Sequence, residues 1–375
     1  MGFLYRFKYY LFNNKAMKTS LDINKKTIAI DISSSKRGGP YISSMNIMNS
    51  PLKESFKFIP IEYKLSLGRF ISFKRIKDIK QQLQAAKPDL ILITGLQLSC
   101  LHVCIAAKLA GIKHRIIVIR GSSLEAIELS IFKRVLMYLI EFISLWLSTS
   151  YYGVSKYAST LSATKFFKRK CKGSIYNIPS LKTVTTPYTR ADFKFNDSDI
   201  IVASSGRITK EKGYSFLTKA IKEISNPQIK FIIIGDGEYL TEMKIQLKEF
   251  IDTNRIVFTG FSNRVLDIIS IADIFILPTL HETLSVSLLE AASLSLPLIS
   301  CRVGGVPEVI ENNYNGILVP PADSEALKKA IEYLAINYDK RLEFGIKAKE
   351  KVSTIFSNER IVKQLHSLFI SELNK

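Results

Sequence analysis

Cysteine is scarce in this chain of 375 residues: Cys100, Cys104, Cys171 and Cys301 are all it has. Four scattered thiols make no disulfide framework, and a reducing compartment is their natural setting. Cys100 and Cys104 bracket Leu-His-Val with no second ligand pair elsewhere, so a zinc knuckle is excluded and an apolar helix is expected. Long apolar runs are missing too. The most apolar stretch, residues 135–147, is 13 residues long and carries Glu141. It is too short to span a bilayer and reads as a buried or membrane-touching helix. The opening, Met1 to Ala16, lacks a long apolar segment and a convincing cleavage site, so no secretory signal is expected. It reads either as a short interfacial helix or as residues ahead of a start at Met17. Neither a P-loop nor a G-x-G-x-x-G turn is present, which leaves ATPase and dinucleotide readings without a phosphate cradle. His281-Glu-Thr-Leu-Ser285 begins like a zinc protease motif but has serine where the second histidine belongs.

Acidic residues are scarce in one half only. Residues 1–190 hold 31 basic side chains against 9 acidic ones, whereas the remainder holds 22 against 24. One basic half and one neutral half attract an anionic surface to the first: acidic phospholipid, a phosphorylated lipid or an anionic polysaccharide. No DNA or RNA module accompanies the charge, so nucleic acid is not an expected partner. The expected location is the cytoplasm, peripheral on the inner face of the cell membrane.

Short apolar runs alternate with longer segments of helical spacing. In the first half Thr27–Ile32, Phe56–Ile61, Asp89–Thr94, His114–Ile119 and a closing Tyr151–Val154 read as buried strands. Residues 180–197 carry Pro, Thr and Asp without periodicity and read as a linker. The alternation then restarts, with strands at 200–204, 229–234, 255–259, 273–277 and 296–300, one more strand after Asn315-Gly316, and a final block of helices. The fold class is α/β, two tandem Rossmann-like doubly wound domains facing across a cleft. The expected boundaries are 1–185, 198–355 and a C-terminal helix, 356–375, packing back on the first domain.

Chemistry concentrates in the second half. Glu282 and Glu290 stand either side of seven residues, the first in a loop and the second about one and a half turns into a helix. Two acids can accept hydroxyl hydrogen bonds, and the helix N-terminus between them offers N–H groups to an anion. Arg207 and Lys212 lie in a loop entering another helix, with Gly206 and Gly213 permitting a tight path. Ile234-Gly-Asp-Gly237 is a second turn of the kind that lets a base or ribose approach backbone.

The block from Phe258-Thr-Gly-Phe261 through LPTLHETLSVSLLEAA and Val303-Gly-Gly-Val-Pro-Glu308 to Asn315-Gly316 resembles the retaining glycosyltransferases of family 4, which have the GT-B fold. Gly38-Gly39-Pro40 and Val154-Ser-Lys-Tyr-Ala158 carry a looser likeness in the first half. The resemblance implies that Arg207 and Lys212 bind and stabilise the departing diphosphate, and that Glu282 lies near the donor sugar's hydroxyls. It implies that Glu290 accepts hydrogen bonds from the ribose, and that Gly38 and Gly39 let backbone approach donor phosphate or acceptor. Thr283-Leu284-Ser285 replaces the Gly-Phe-Gly of many relatives, with backbone amides still available to the donor sugar. Arg120-Gly121 stands where many relatives carry histidine, which makes Arg120 a contact for acceptor or donor. His102 is weighed as a substitute for that histidine.

The expected activity is metal-independent transfer of a sugar, with retention, from a UDP- or GDP-linked donor to a glycan or lipid-linked acceptor in cell-surface polysaccharide synthesis. No metal and no cofactor is expected. The alternative is a non-catalytic protein of the same fold that binds nucleotide-sugar or polyanion.

Overall fold

The computed structural model describes residues 25–32, 39–63, 71–125, 130–178 and 183–375. The segment 1–16 and Gly38 lie outside the described residues. Strands β1 (Thr27–Asp31), β2 (Lys57–Ile61), β3 (Leu90–Thr94), β4 (His114–Ile119), β5 (Ser150–Gly153) and β6 (Cys171–Ser174) form one parallel sheet in the order β2-β1-β3-β4-β5-β6. Strands β7 (Ile200–Ser205), β8 (Ile229–Ile234), β9 (Ile256–Gly260), β10 (Ile274–Leu277), β11 (Leu298–Cys301) and β12 (Gly316–Val319) form a second, ordered β12-β11-β10-β7-β8-β9.

Helices cover these sheets. The first half contributes α1 (Gly39–Asn49), α2 (Phe73–Ala86), α3 (Leu98–Leu109), α4 (Ile131–Leu147) and α5 (Lys156–Ser159). The second contributes α6 (Tyr214–Glu223), α7 (Leu240–Gln246), α8 (Lys248–Asp252), α9 (Val265–Ile269), α10 (Val286–Ser293) and α11 (Val306–Val309). Three long helices follow: α12 (Ser324–Ile336), α13 (Tyr338–Ile355) and α14 (Asn358–Leu373).

The local chemistry explains the elements. Central strands such as Leu90–Thr94 and Ile274–Leu277 are buried on both faces, which is why they read as unbroken apolar runs. Helix α2 starts at Ser72, whose hydroxyl accepts from the Arg75 N–H, and stops at Lys87 in the left-handed conformation. Three features differ from expectation. Strand β5 is not the last of its sheet: β6 pairs outside it, and Cys-Lys-Gly-Ser is too short and polar to announce an edge strand. Helix α1 follows β1 in the chain, and its buried residues include Ser43 and Ser44 and so make no apolar stripe. The helix expected over 238–250 breaks at Leu247 into α7 and α8.

The linker region is fastened to the second sheet. The Thr185 N–H donates to Asp267 at 2.8 Å, and Arg190 pairs with Asp273 at 3.0 Å. At the chain's end α14 crosses back to the first half. The Phe369 ring meets Phe56 edge-on, centroids 5.6 Å apart, and the Ser150 hydroxyl donates to Glu372 at 3.0 Å.

Candidate active site

In the second sheet β7 pairs with both β8 and β10, so the chain winds away in opposite directions from the gap between β7 and β10. Such a gap leaves a crevice at the C-terminal edge of the strands, the place where open α/β sheets bind ligands. The loop after β7 carries Arg207 and Lys212, and the loop after β10 carries Glu282. The first loop lies on its neighbour: Ile208 N–H donates to Asp236 O at 2.9 Å, and Tyr239 N–H to Ile208 O at 3.0 Å. A Cβ on Gly235 would sit 1.9 Å from Gly206 O, and one on Gly237 2.3 Å from Ile208 O. These glycines therefore admit the Arg207 loop, where the sequence suggested room for a base or ribose.

Lys212 reaches across the crevice. Its ammonium sits 2.8 Å from Glu282 Oε2, with the two side chains 17% and 15% exposed. Gly213, in the left-handed region at φ 72°, lies so close to β10's end that a Cβ would be 1.8 Å from Pro278 O. Only glycine holds the Lys212 loop there. Gly304 and Gly305 do the same beneath the acid loop, where added Cβ atoms would each lie 1.9 Å from the carbonyls of Glu282 and Thr283. The Gly305 N–H donates to Glu282 O at 3.0 Å.

Arg207 is exposed at the same edge, and among the described residues its side chain makes no hydrogen bond or ion pair. Thr283 and Leu284 are buried, and the Ser285 hydroxyl caps α10 by accepting from the Leu288 N–H at 3.2 Å. Glu290 is half-buried on α10, about 6 Å along the axis from Val286. On the facing domain Gly39 opens α1. Arg120 directly follows β4 and donates to Asn177 Oδ1 at 2.8 Å, which also accepts from Ser43. The next residue, Gly121, would place a Cβ 3.4 Å from Thr283 Oγ1, so the β4 edge meets the acid loop. Lys212, Glu282 and Thr283 are thus brought together beside Arg120-Gly121. His102 is fully buried in α3, where its Nε2 accepts from the Ser72 N–H at 2.9 Å. Its ring is packed inside the first domain and also lies 3.4 Å from the Arg75 guanidinium.

Four residues at the domain junction were not picked out as site residues from the sequence. Glu308, at the N-terminal end of the second domain's α11, accepts from the Lys156 and Tyr157 N–H groups at 2.9 Å each and from the Tyr176 hydroxyl at 3.0 Å. Glu125 accepts from the Tyr157 hydroxyl and pairs with His281 Nε2 at 3.0 Å. Burial pushes the Glu125 carboxyl up, but bonds from His281, Tyr157 and the Ser122 N–H outweigh it and hold it below its usual range. The bond to Glu125 raises the His281 imidazole above its ordinary value, against the opposing pull of burial. The only sequence signal for Glu308 was its place after the double glycine.

Residues 186–351 match the family model of glycosyl transferases group 1. The second domain is a group 1 glycosyltransferase domain. Both cations and both acids of the candidate site lie inside the matched stretch, and Gly39 and Arg120 lie outside it. Among curated relatives, the capsular polysaccharide biosynthesis glycosyltransferase CapM of Staphylococcus aureus is 24% identical over 322 residues, covering 82% of this chain and 83% of that protein. The UDP-Gal:alpha-D-GlcNAc-diphosphoundecaprenol alpha-1,3-galactosyltransferase of Escherichia coli is 27% identical over 171 residues, 44% of each chain. The chain spans about half the length of most of the curated relatives it matches. In three dimensions the crystal structure of Anabaena Alr3699/HepE in complex with UDP and glucose superposes with a TM-score of 0.76 at 18% identity, over 93% of this chain and 100% of that one. The group 1 domain and its partner together therefore have the two-domain GT-B fold.

Proposed function

We propose that the protein transfers a sugar from a nucleoside-diphosphate sugar to a glycan or lipid-linked acceptor, with retention at the anomeric carbon. The observation that carries this reading is the Lys212–Glu282 pair, 2.8 Å apart at the β7/β10 switch point beside the exposed Arg207. Charge develops on the diphosphate as the glycosidic bond breaks, and fixed cations aimed at it stabilise that charge. Arg207 and Lys212 take this role. Glu282 orients Lys212 and accepts hydrogen bonds from sugar hydroxyls, while Glu290 accepts from the ribose. Gly206, Gly39 and the backbone of Thr283, Leu284 and Ser285 allow close approach of the donor, and Arg120 faces donor or acceptor from the other domain. Closure of the two domains excludes water and aligns the acceptor hydroxyl.

UDP is favoured over GDP as the nucleoside diphosphate, because the HepE structures of this fold hold UDP, UDP-glucose or UDP with glucose. A lipid-linked acceptor is favoured because the E. coli relative is named for a diphosphoundecaprenol-linked sugar. The basic excess of residues 1–190 suits such a phosphate-bearing acceptor at an anionic membrane surface. Among the described residues no helix is long and apolar enough to cross a membrane. A thermal-shift panel of UDP, GDP and their sugars, paired with an assay of slow donor hydrolysis, tests the proposal. UDP should raise the melting temperature and a UDP-sugar should be slowly hydrolysed. Binding without any hydrolysis or transfer would select the non-catalytic alternative, and no stabilisation by any nucleoside diphosphate would remove both.

A further inference from the structure

Helix α4 turns an apolar face to solvent. Phe132, Leu136, Leu139, Ile143 and Trp146 follow one another at steps of four and three residues, and are 80%, 41%, 49%, 41% and 59% exposed. The opposite face buries Ile140, Ser144 and Leu145 in the first domain. Phe166, 68% exposed, extends the stripe from the adjoining segment, its ring 5.9 Å from that of Phe142. A continuous patch of this kind marks a surface that meets a partner.

The charges around it say which partner. Between residues 131 and 170 there are seven Lys or Arg and a single acid, Glu141. Glu141 lies on the buried face of α4, holding the Ser122 hydroxyl and Ser123 N–H, so it offers nothing to the surface. Lys133, Arg134, Lys165, Lys168 and Arg169 are exposed beside the apolar stripe. Two copies meeting through this face about a two-fold axis would set these like charges against each other. An anionic bilayer complements both components, apolar side chains entering the acyl boundary and cations meeting lipid phosphates. At 17 residues α4 is about 25 Å long, suited to lying in the interface. At its N-terminal end a hollow of about 410 Å³, lined by Leu124, Glu125, Val135, Tyr138 and Leu161, connects this face with the loop whose Glu125 pairs with His281.

We propose that the exposed face of α4, with Phe166 and the flanking cations, docks the protein on an anionic lipid bilayer, so that a lipid-linked acceptor passes from the membrane to the domain junction. This rests on the transfer reading only for the acceptor's identity. Co-sedimentation with phosphatidylcholine vesicles, with and without phosphatidylglycerol, tests it. The protein should pellet with the anionic vesicles alone. Phe132→Ser/Leu139→Ser/Trp146→Ser should lower the partition at least about tenfold. Lys168→Gln/Arg169→Gln should weaken it about tenfold and flatten its salt dependence. Since all five positions are exposed, circular dichroism spectra should match the unsubstituted protein, with at most a small drop in melting temperature from loss of the Lys108–Trp146 contact. Triple-variant binding equal to the parent's would overturn the proposal. So would a parent dimer that the triple variant turns into a monomer, which would assign the face to a second copy. Loss of nucleotide binding with vesicle binding intact would remove the transfer reading and leave this surface standing; the reverse result would do the opposite.

Discussion

At the scale of single residues, the two cations of the candidate site differ in what else they do. Lys212 is tied to Glu282 and partly buried, whereas Arg207 is exposed and has no side-chain partner among the described residues. The difference gives a clean test. Arg207→Ala should lower turnover about 100-fold, the cost of losing one charge-stabilising contact. The melting temperature should stay unchanged, because no folded-state contact is lost. Lys212→Ala should show a comparable rate loss and a loss of stability of about 1–3 kcal/mol, because it strips a mostly buried Glu282 of its partner. Steady-state kinetics of both variants, read beside their thermal melts, checks this. An Arg207→Ala enzyme with full turnover would take the diphosphate role away from that side chain.

At the scale of elements, the crevice is shaped by glycines that let loops touch. Gly213→Ala would push a methyl into Pro278 O while forcing alanine to hold φ 72°. Urea unfolding should show a loss above about 3 kcal/mol. Gly111→Ala is the control: its φ is 78°, with nothing within 4 Å of an added Cβ, and only the backbone cost of about 1 kcal/mol should appear. Equal losses at both positions would mean that loop contact is not what Gly213 serves.

The same elements show what a sequence discloses. Parallel strands buried on both faces announce themselves as apolar runs, so most of both sheets, including β3, β4, β7, β8 and β10, was legible. The acid loop and the first turn of α10 were legible through their spacing and family likeness. Helix α1 and strand β6 were not, because one buries serines and the other is a short polar edge. The junction formed by Glu125, Tyr157, His281 and Glu308 was beyond reach for a different reason. Its partners lie as far as 156 residues apart, as in the Glu125–His281 pair, and no local period records a contact between domains.

At the scale of the whole molecule, that junction should make the contact between the domains respond to pH. Glu308 fastens α5 through two backbone N–H groups. The Glu125–His281 pair does titrate. His281 has its pKa raised from 6.5 by Glu125, so its contribution is fully present below 6.5 and is lost as pH climbs through the raised value. Glu125 has its pKa lowered from 4.5, so its contribution is present above 4.5 and is lost as pH falls through the depressed value. The pair therefore holds the domains together most firmly between those two reference values. His281→Gln should melt below the parent protein at about pH 6 and converge with it by about pH 9, whereas Glu125→Gln, which also weakens the bonds from the Tyr157 hydroxyl and the Ser122 N–H, should stay below it across the whole range. Differential scanning calorimetry across that range measures it. A gap between parent and variant that widened toward alkaline pH would show that His281 acts in its neutral form, and that an ion pair with Glu125 is not what joins the domains here.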